Sequence, residues 1–283
     1  MKPLALVTGA SGLIGSYLVR SAAAAAPDWY VQGLSRQDLD LTNIRAIRQT
    51  FLAVRPSLII HCAAVSKTTQ CEKDPALARR VNVDATACLA ELARDIPLVF
   101  FSSDLVFDGK KGRYVETDSV SPINVYGETK VAAEQLVLAN PKHTVIRTSL
   151  NAGCSPTGDR SFVEEMRRAL EAGQTLTLFT DEYRCPIPAA ATARAVWELV
   201  SLNRPGLYHL AGAERLSRWE IGQLLAARWP ELKADIRPGV LKDYRGGPRA
   251  ADASLDCGKI QRLLSFPLPS FRDWAQNPNH AEL

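Results

Sequence analysis

Three side chains in this sequence have the types and spacing to place a proton on a carbonyl oxygen. Tyr126 and Lys130 stand four apart in Tyr126-Gly-Glu-Thr-Lys130, which puts both on one face of a helix. Upstream, an apolar run breaks into adjacent hydroxyls, Phe100-Phe-Ser102-Ser103-Asp104. A phenol can protonate a developing alkoxide, a nearby ammonium can lower that phenol's pKa from about 10, and a hydroxyl can hold the carbonyl oxygen. Alone, the Tyr-Lys spacing says little, because a buried tyrosine beside a surface lysine would produce it too. The surrounding sequence is what makes it informative.

Such groups converge only on a scaffold that gathers strand ends. The first half of the chain alternates short apolar runs with helical periodicity. Strands are predicted over 4–7, 29–34, 58–61, 98–101 and 144–147. Helices are predicted from the glycines after the first strand to about 26, over 44–54, over 74–94 and over 126–139. This alternation predicts an α/β fold, a Rossmann-type doubly wound parallel sheet covered on both faces. The second half is less regular, with helices expected over 162–172, 189–202 and 218–228 and a short strand over 207–210. The expected division is a dinucleotide-binding domain over 1–150, with a return segment at about 181–204. A smaller, mixed C-terminal substrate lobe is expected from 151–180 and 205–283.

Between the first strand and helix lies Thr8-Gly9-Ala-Ser11-Gly12-Leu13-Ile14-Gly15. Gly9 permits a tight turn, Gly12 lets backbone approach a pyrophosphate, and Gly15 lets the helix pack closely on the sheet. The helix start then faces its N–H groups toward phosphate. The second strand ends in Gly33-Leu-Ser35-Arg36, with no acid at its tip. Ser35 and Arg36 suit a 2′-phosphate, so NADP(H) is the expected preference, with NAD(H) second.

Composition excludes several classes. A formal charge of +4 over 283 residues, with Lys and Arg scattered, suggests no nucleic-acid partner. Six cysteines form no Cys-x-x-Cys pair, and with four histidines there is no metal-ligand pattern. The first residues are too short an apolar run for a signal peptide, and no stretch is long enough to span a membrane. Reduced thiols in a cytoplasmic protein are expected.

With these parts together, the chain resembles the extended short-chain dehydrogenase/reductase family, within it the dTDP-4-dehydrorhamnose reductase subfamily. The likeness runs over nearly the whole chain. It is carried by the glycine turn, His61-Cys-Ala-Ala64, Ser102-Ser-Asp-Leu-Val-Phe-Asp-Gly109 and Pro122-Ile-Asn-Val-Tyr-Gly-Glu-Thr-Lys130. Later pieces are Phe179-Thr-Asp-Glu-Tyr-Arg-Cys-Pro186 and Ala251-Asp-Ala-Ser-Leu-Asp256.

The resemblance implies an NADP(H)-dependent reductase of a nucleotide-linked keto sugar, with Ser103, Tyr126 and Lys130 catalytic. It places Ser11, Leu13 and Ile14 at the pyrophosphate and Asp40 and Leu41 near the adenine. Cys62, Ala63, Ala64, Val65, Asn82, Ser102, Thr148 and Ser149 then line the cofactor. Lys67, Ser103, Asp104, Val106 and Phe107 are the expected substrate contacts, with Arg160, Arg184 and Arg249 as cations for a diphosphate. Two departures stand out, Leu105 in place of the usual Tyr, and Ser66-Lys-Thr-Thr-Gln70 in place of an acidic pattern. A homodimer is compatible with the resemblance. Other nucleotide-sugar reductases, epimerases, and a regulatory subunit like the beta subunit of methionine adenosyltransferase remain alternatives.

Overall fold

A computed structural model describes residues 2–277. Six parallel strands form the central sheet: β1 (Leu4–Thr8), β2 (Tyr30–Leu34), β3 (Leu58–His61), β4 (Leu98–Ser103), β5 (Thr144–Thr148) and β6 (Gly206–Leu210). Their order is β6-β5-β4-β3-β1-β2. Every residue of β3 and β4 is buried, as strands covered on both faces must be.

The helices are α1 (Leu13–Ala25), α2 (Ile44–Val54), α3 (Thr68–Lys73), α4 (Pro75–Arg79), α5 (Ala85–Leu92), α6 (Val125–Leu138), α7 (Phe162–Glu171), α8 (Ala189–Leu202) and α9 (Arg218–Arg228). Helices α1 and α8 pack together over one sheet face. The other face is covered by α2, α5 and α6, which bury Ile47, Leu89 and Val137. Trp197 of α8 is fully buried and donates from Nε1 to the Leu18 carbonyl, 3.0 Å away. None of the helices among the described residues is long and apolar enough to cross a membrane.

Strand order reverses between β1 and β3, and at such a switch point a crevice opens beyond the carboxyl ends of the strands. The glycine turn and the chain leaving β3 meet there. Gly9 has φ +72°, and a side-chain carbon on Gly15 would lie 2.3 Å from the Gly9 carbonyl oxygen. Only glycine allows this contact.

A smaller apolar cluster joins α7, α9 and the terminal helix Phe271–Gln276 around Val163, Leu225 and Phe271. Capping boxes start both α7 (Ser161 with Glu164) and α9 (Ser217 with Glu220). A short ladder, Leu176–Phe179 with Ile236–Gly239, flanks this cluster.

Two expectations change. The helix predicted over 74–94 is broken into α4, a π-helical turn at Arg80–Asp84 and α5, and α3 precedes it. Asp74 ends α3 and caps α4, accepting from the Leu77 N–H. The strand at 206–210, placed in the smaller lobe from sequence, pairs with β5 as an edge of the main sheet. Further on, Ile260, Leu264 and Leu268 pack into the α1–α8 core. Of the expected domain ranges, residues 1 and 278–283 lie outside the described residues.

Because Trp197 fills the α1–α8 contact completely, Trp197→Ala is expected to destabilise the protein by about 3–5 kcal/mol. A urea denaturation midpoint unchanged from wild type would contradict that role.

Candidate active site

Helix α6 is set against the end of β4 by two local devices. Asn124 caps it, its side chain accepting from the Gly127 N–H at 2.8 Å, so Tyr126 falls in the first turn. Gly127 rests on the turn after β4, where a side-chain carbon would meet the Leu105 carbonyl oxygen at 2.2 Å. That backbone contact sets the Tyr126 phenol close enough to Ser103 for the hydroxyl to act on its pKa. One turn on, Lys130 is buried with Nζ 4.4 Å from the Phe100 ring centroid and 5.9 Å from that of Tyr126. The predicted triad therefore converges.

Asn82, in the π turn, ties the surrounding elements together. It accepts from the Val65 N–H (2.8 Å) and donates to the Val65 carbonyl (3.1 Å) and to Thr129 Oγ1 (3.0 Å). Thr129 in turn donates to the Tyr126 carbonyl at 2.7 Å. The chain after β3 and the helix bearing Tyr126 thus share one amide. The π turn supplies the geometry, and such turns recur at functional sites. Val65, Leu105, Cys71 and Ala78 pack around the Tyr126 ring.

Burial dominates the electrostatics. It raises the Tyr126 pKa well above the usual tyrosine value, and the Asp104 carboxylate pushes the same way, while Ser103 opposes. The phenol is therefore held protonated, the form a proton donor needs. Lys130 is not among the groups acting on the phenol here, its ammonium lying on the Phe100 ring; the lowering expected from sequence is that of Lys130 together with an oxidised nicotinamide ring. Burial lowers the Lys130 pKa to about 8, against the pull of Glu134. Glu134 is itself clamped by Arg147 of β5, with Nη2 to Oε2 at 2.7 Å. His61 is held neutral by burial, pKa about 3, between Thr8 (2.7 Å) and Thr86 (3.1 Å). It is a packing residue and forms no dyad with Cys62.

The glycine turn has donors suited to a phosphate. Gly12, the N-cap of α1, supplies no side-chain cap, so the first N–H groups face outward without a side-chain acceptor. Ala63 N lies 2.7 Å from where a Gly9 side-chain carbon would be, so the loop at 62–65 closes against the turn. Ser102 Oγ is buried with no hydrogen-bond partner among the described residues, an orphaned hydroxyl near the end of β4. Ser11 and Ile14 are partly exposed on this turn, and Leu13 is buried behind it.

The end of β2 needs a correction. Asp38 folds back onto the strand tip read as free of acid, accepting from Ser35 N (2.8 Å) and Oγ (2.7 Å). Arg36 stays exposed. Asp40 accepts from both N and Oγ1 of Thr42, and Leu41 turns into the core.

Several expected substrate and cofactor contacts also prove otherwise engaged. Val106 and Phe107 are fully buried, Phe107 stacked on Tyr114 at 4.0 Å, so neither lines the cleft. Asp104 is buried and accepts from Ser103 (3.1 Å) and Ser149 (2.6 Å). That commits the Ser149 hydroxyl, and Thr148 accepts from Asn151 Nδ2. Arg184 lies 3.6 Å from Asp104 and 3.2 Å from Glu182, and Arg249 forks onto Glu182 at 2.6 and 3.0 Å. Arg160 is exposed and pairs with Asp159, and Lys67 pairs with Glu165.

One cation was missed by the sequence reading. Arg218 opens α9 beside Glu182, Arg184 and Arg249, and burial lowers its pKa. It makes no salt bridge among the described residues. The capping motif Ser217-Arg-Trp-Glu220 signalled the helix start, but nothing local signalled that Arg218 joins this cluster.

Fold and site together define the class, an extended short-chain dehydrogenase/reductase. The chain belongs to the RmlD substrate binding domain family, whose model matches residues 1–278. A dTDP-4-dehydrorhamnose reductase of Sinorhizobium fredii is 29% identical over 94% of this chain and 93% of its own length. A methionine adenosyltransferase 2 subunit beta of Xenopus laevis is also 29% identical, over 92% of this chain and 82% of its own. Among solved structures, dTDP-4-dehydrorhamnose reductase of Bacillus anthracis in complex with NADP superposes with a TM-score of 0.89. It is 26% identical and covers 98% of both chains.

The Lys130 titration has a stability consequence. An unfolded lysine keeps its proton to about 10.5, whereas the folded one releases it near 8. Between those values the unfolded state binds more protons, so this residue makes stability rise with pH. Lys130→Met should therefore exceed wild type in stability most below about 8, and the gap should shrink as pH climbs toward 10. Denaturation of both proteins across that range checks this, and a pH-independent gap would contradict a buried titrating ammonium.

Proposed function

We propose that this chain is an NADP(H)-preferring reductase of the 4-keto group of a nucleotide-linked 6-deoxy sugar, dTDP-linked as in the reductases it resembles. The observation that carries the reading is the convergence of Ser103, Tyr126 and Lys130 beside the uncapped glycine-rich start of α1. We propose that residues of the main sheet, including the return through α8 and β6, hold the cofactor. The cluster of α7, α9 and the following segments holds the substrate, with Arg218 as the cation left to face its diphosphate.

A reduced nicotinamide, when bound, supplies the hydride. Tyr126 gives its proton to the oxygen that becomes an alkoxide. The Lys130 ammonium, together with the positive ring of an oxidised nicotinamide, would stabilise the phenolate left behind. In the resting arrangement the Ser103 proton points to Asp104, and a hydroxyl rotor is free to turn it toward the substrate oxygen. Preference for NADP(H) is supported by the solved relative that binds NADP and by exposed Arg36 at the end of β2.

A second reading, a cofactor-bound regulatory subunit, is favoured by the nearly full-length match to a methionine adenosyltransferase subunit. One experiment separates them. Protein, NADPH and dTDP-4-keto-6-deoxy sugar are mixed, and absorbance of the reduced nicotinamide is followed. Consumption supports the reductase, isomerisation without consumption an epimerase, and binding without reaction the regulatory role.

In the active enzyme, Tyr126→Phe should cost about a hundredfold or more in turnover while NADPH affinity is largely kept. Full residual activity would refute the assigned acid. Arg36→Ala should weaken NADPH binding roughly tenfold and leave NADH binding unchanged. Equal use of both cofactors by the wild type would sink the NADP(H) assignment.

A further inference from the structure

The segment Ser66–Gln70, which departs from the resemblance, has a structural outcome. Lys67 precedes the first turn of α3, two residues after Val65, which packs on the cluster of Cys71, Ala78 and Tyr126. Its ammonium reaches across to α7 and meets Glu165 Oε1 at 2.8 Å. An ion pair thus runs from the wall of the candidate active site to the helix cluster on the far side of the cleft.

Glu165 serves a second cation as well. It lines a cavity of about 180 Å³ together with Arg218, Phe162 and Leu178, and its charge acts on the Arg218 guanidinium, though less than that of Glu182 does. The other carboxylates nearby are engaged. Glu182 takes Arg249 in a fork and Arg184 at its edge, Asp104 takes Arg184, and Asp159 pairs with Arg160. Arg218 has no salt bridge among the described residues, and Glu165, which shares its cavity, is the carboxylate there that also holds Lys67. Lys67 and Glu165 are both about half exposed, with side chains 57% and 47% accessible.

We propose that Glu165 is an internal stand-in for the substrate's negative charge. It holds Lys67 and offsets Arg218 until an anionic group of the substrate takes over both, so the Lys67–Glu165 pair is a displaceable latch across the cleft. The identity of that anion as a nucleoside diphosphate rests on the function proposed above. A pair this exposed biases an equilibrium by at most about fivefold, weak enough to yield to a more highly charged ligand.

Two measurements test it. Hydrogen exchange reports the latch without any ligand. Lys67→Met should speed exchange in the first turn of α7, Glu165→Gln should speed it in 65–70, and the double variant should add nothing further. Unchanged exchange in the partner segment would overturn the latch. Calorimetry with dTDP reports the displacement. Glu165→Gln should bind dTDP about two- to fivefold more tightly than wild type, Lys67→Met more weakly, and both should bind NADPH as wild type does. Equal or weaker dTDP binding by Glu165→Gln would overturn the stand-in role. A wild type blind to dTDP would instead bring down the nucleotide reading, and the exchange result alone would then decide the latch.

Discussion

The contact between two backbones at the switch point of the sheet is the constraint on which the rest is built. The Gly9 carbonyl touches Gly15 closely enough to exclude any side-chain carbon, and Ala63 closes on Gly9 from the other strand. Helix α1 is thereby fixed to β1, its N-terminus is aimed at the crevice, and the chain leaving β3 is held alongside. Parallel strands then deliver their carboxyl ends to the same edge, which is why β4 can present Ser102 and Ser103 beside that turn.

A second close approach, Gly127 on the Leu105 carbonyl, completes the site. It places a helix that carries an acid and a cation directly on a strand end that carries a hydroxyl. Asn82 then locks that helix to the loop after β3 through three hydrogen bonds. The resulting burial has opposite effects on the two titrating groups. It keeps the Tyr126 phenol protonated and makes the Lys130 ammonium easier to discharge, because burial disfavours the charged form of each.

Around this centre runs a chain of buried charge from Asp104 through Arg184 and Glu182 to Arg249. It joins the end of β4 to the segments that flank the smaller helix cluster. Breaking such a chain at one member leaves a buried charge without its partner, so these residues serve geometry before they serve a ligand. Among the described residues, that arrangement leaves Arg218 without a salt bridge and Lys67 in an exposed pair with Glu165.

Much of the scaffold was legible because its signals are local. Apolar runs of four or five residues marked the strands, and helix 189–202 and helix 218–228 were read with the bounds they have. The glycine spacing announced the turn, and Tyr126 and Lys130 lay on one helical face as periodicity requires. What a sequence cannot carry is which polar groups find each other. Val106 and Phe107 looked like strand-end contacts and became core because Tyr114 folds back to stack on Phe107. Asp38 reached the tip of β2, Arg184 and Arg249 spent their charge on Glu182, and Lys67 found a partner on α7. The sequence by itself determined most of the elements, the glycine turn and the shared helical face of Tyr126 and Lys130, since each depends on neighbours within a turn or two. Tertiary structure alone decided which charges are paired and which remain available, since burial and pairing depend on residues that only the folded chain brings within a few ångströms.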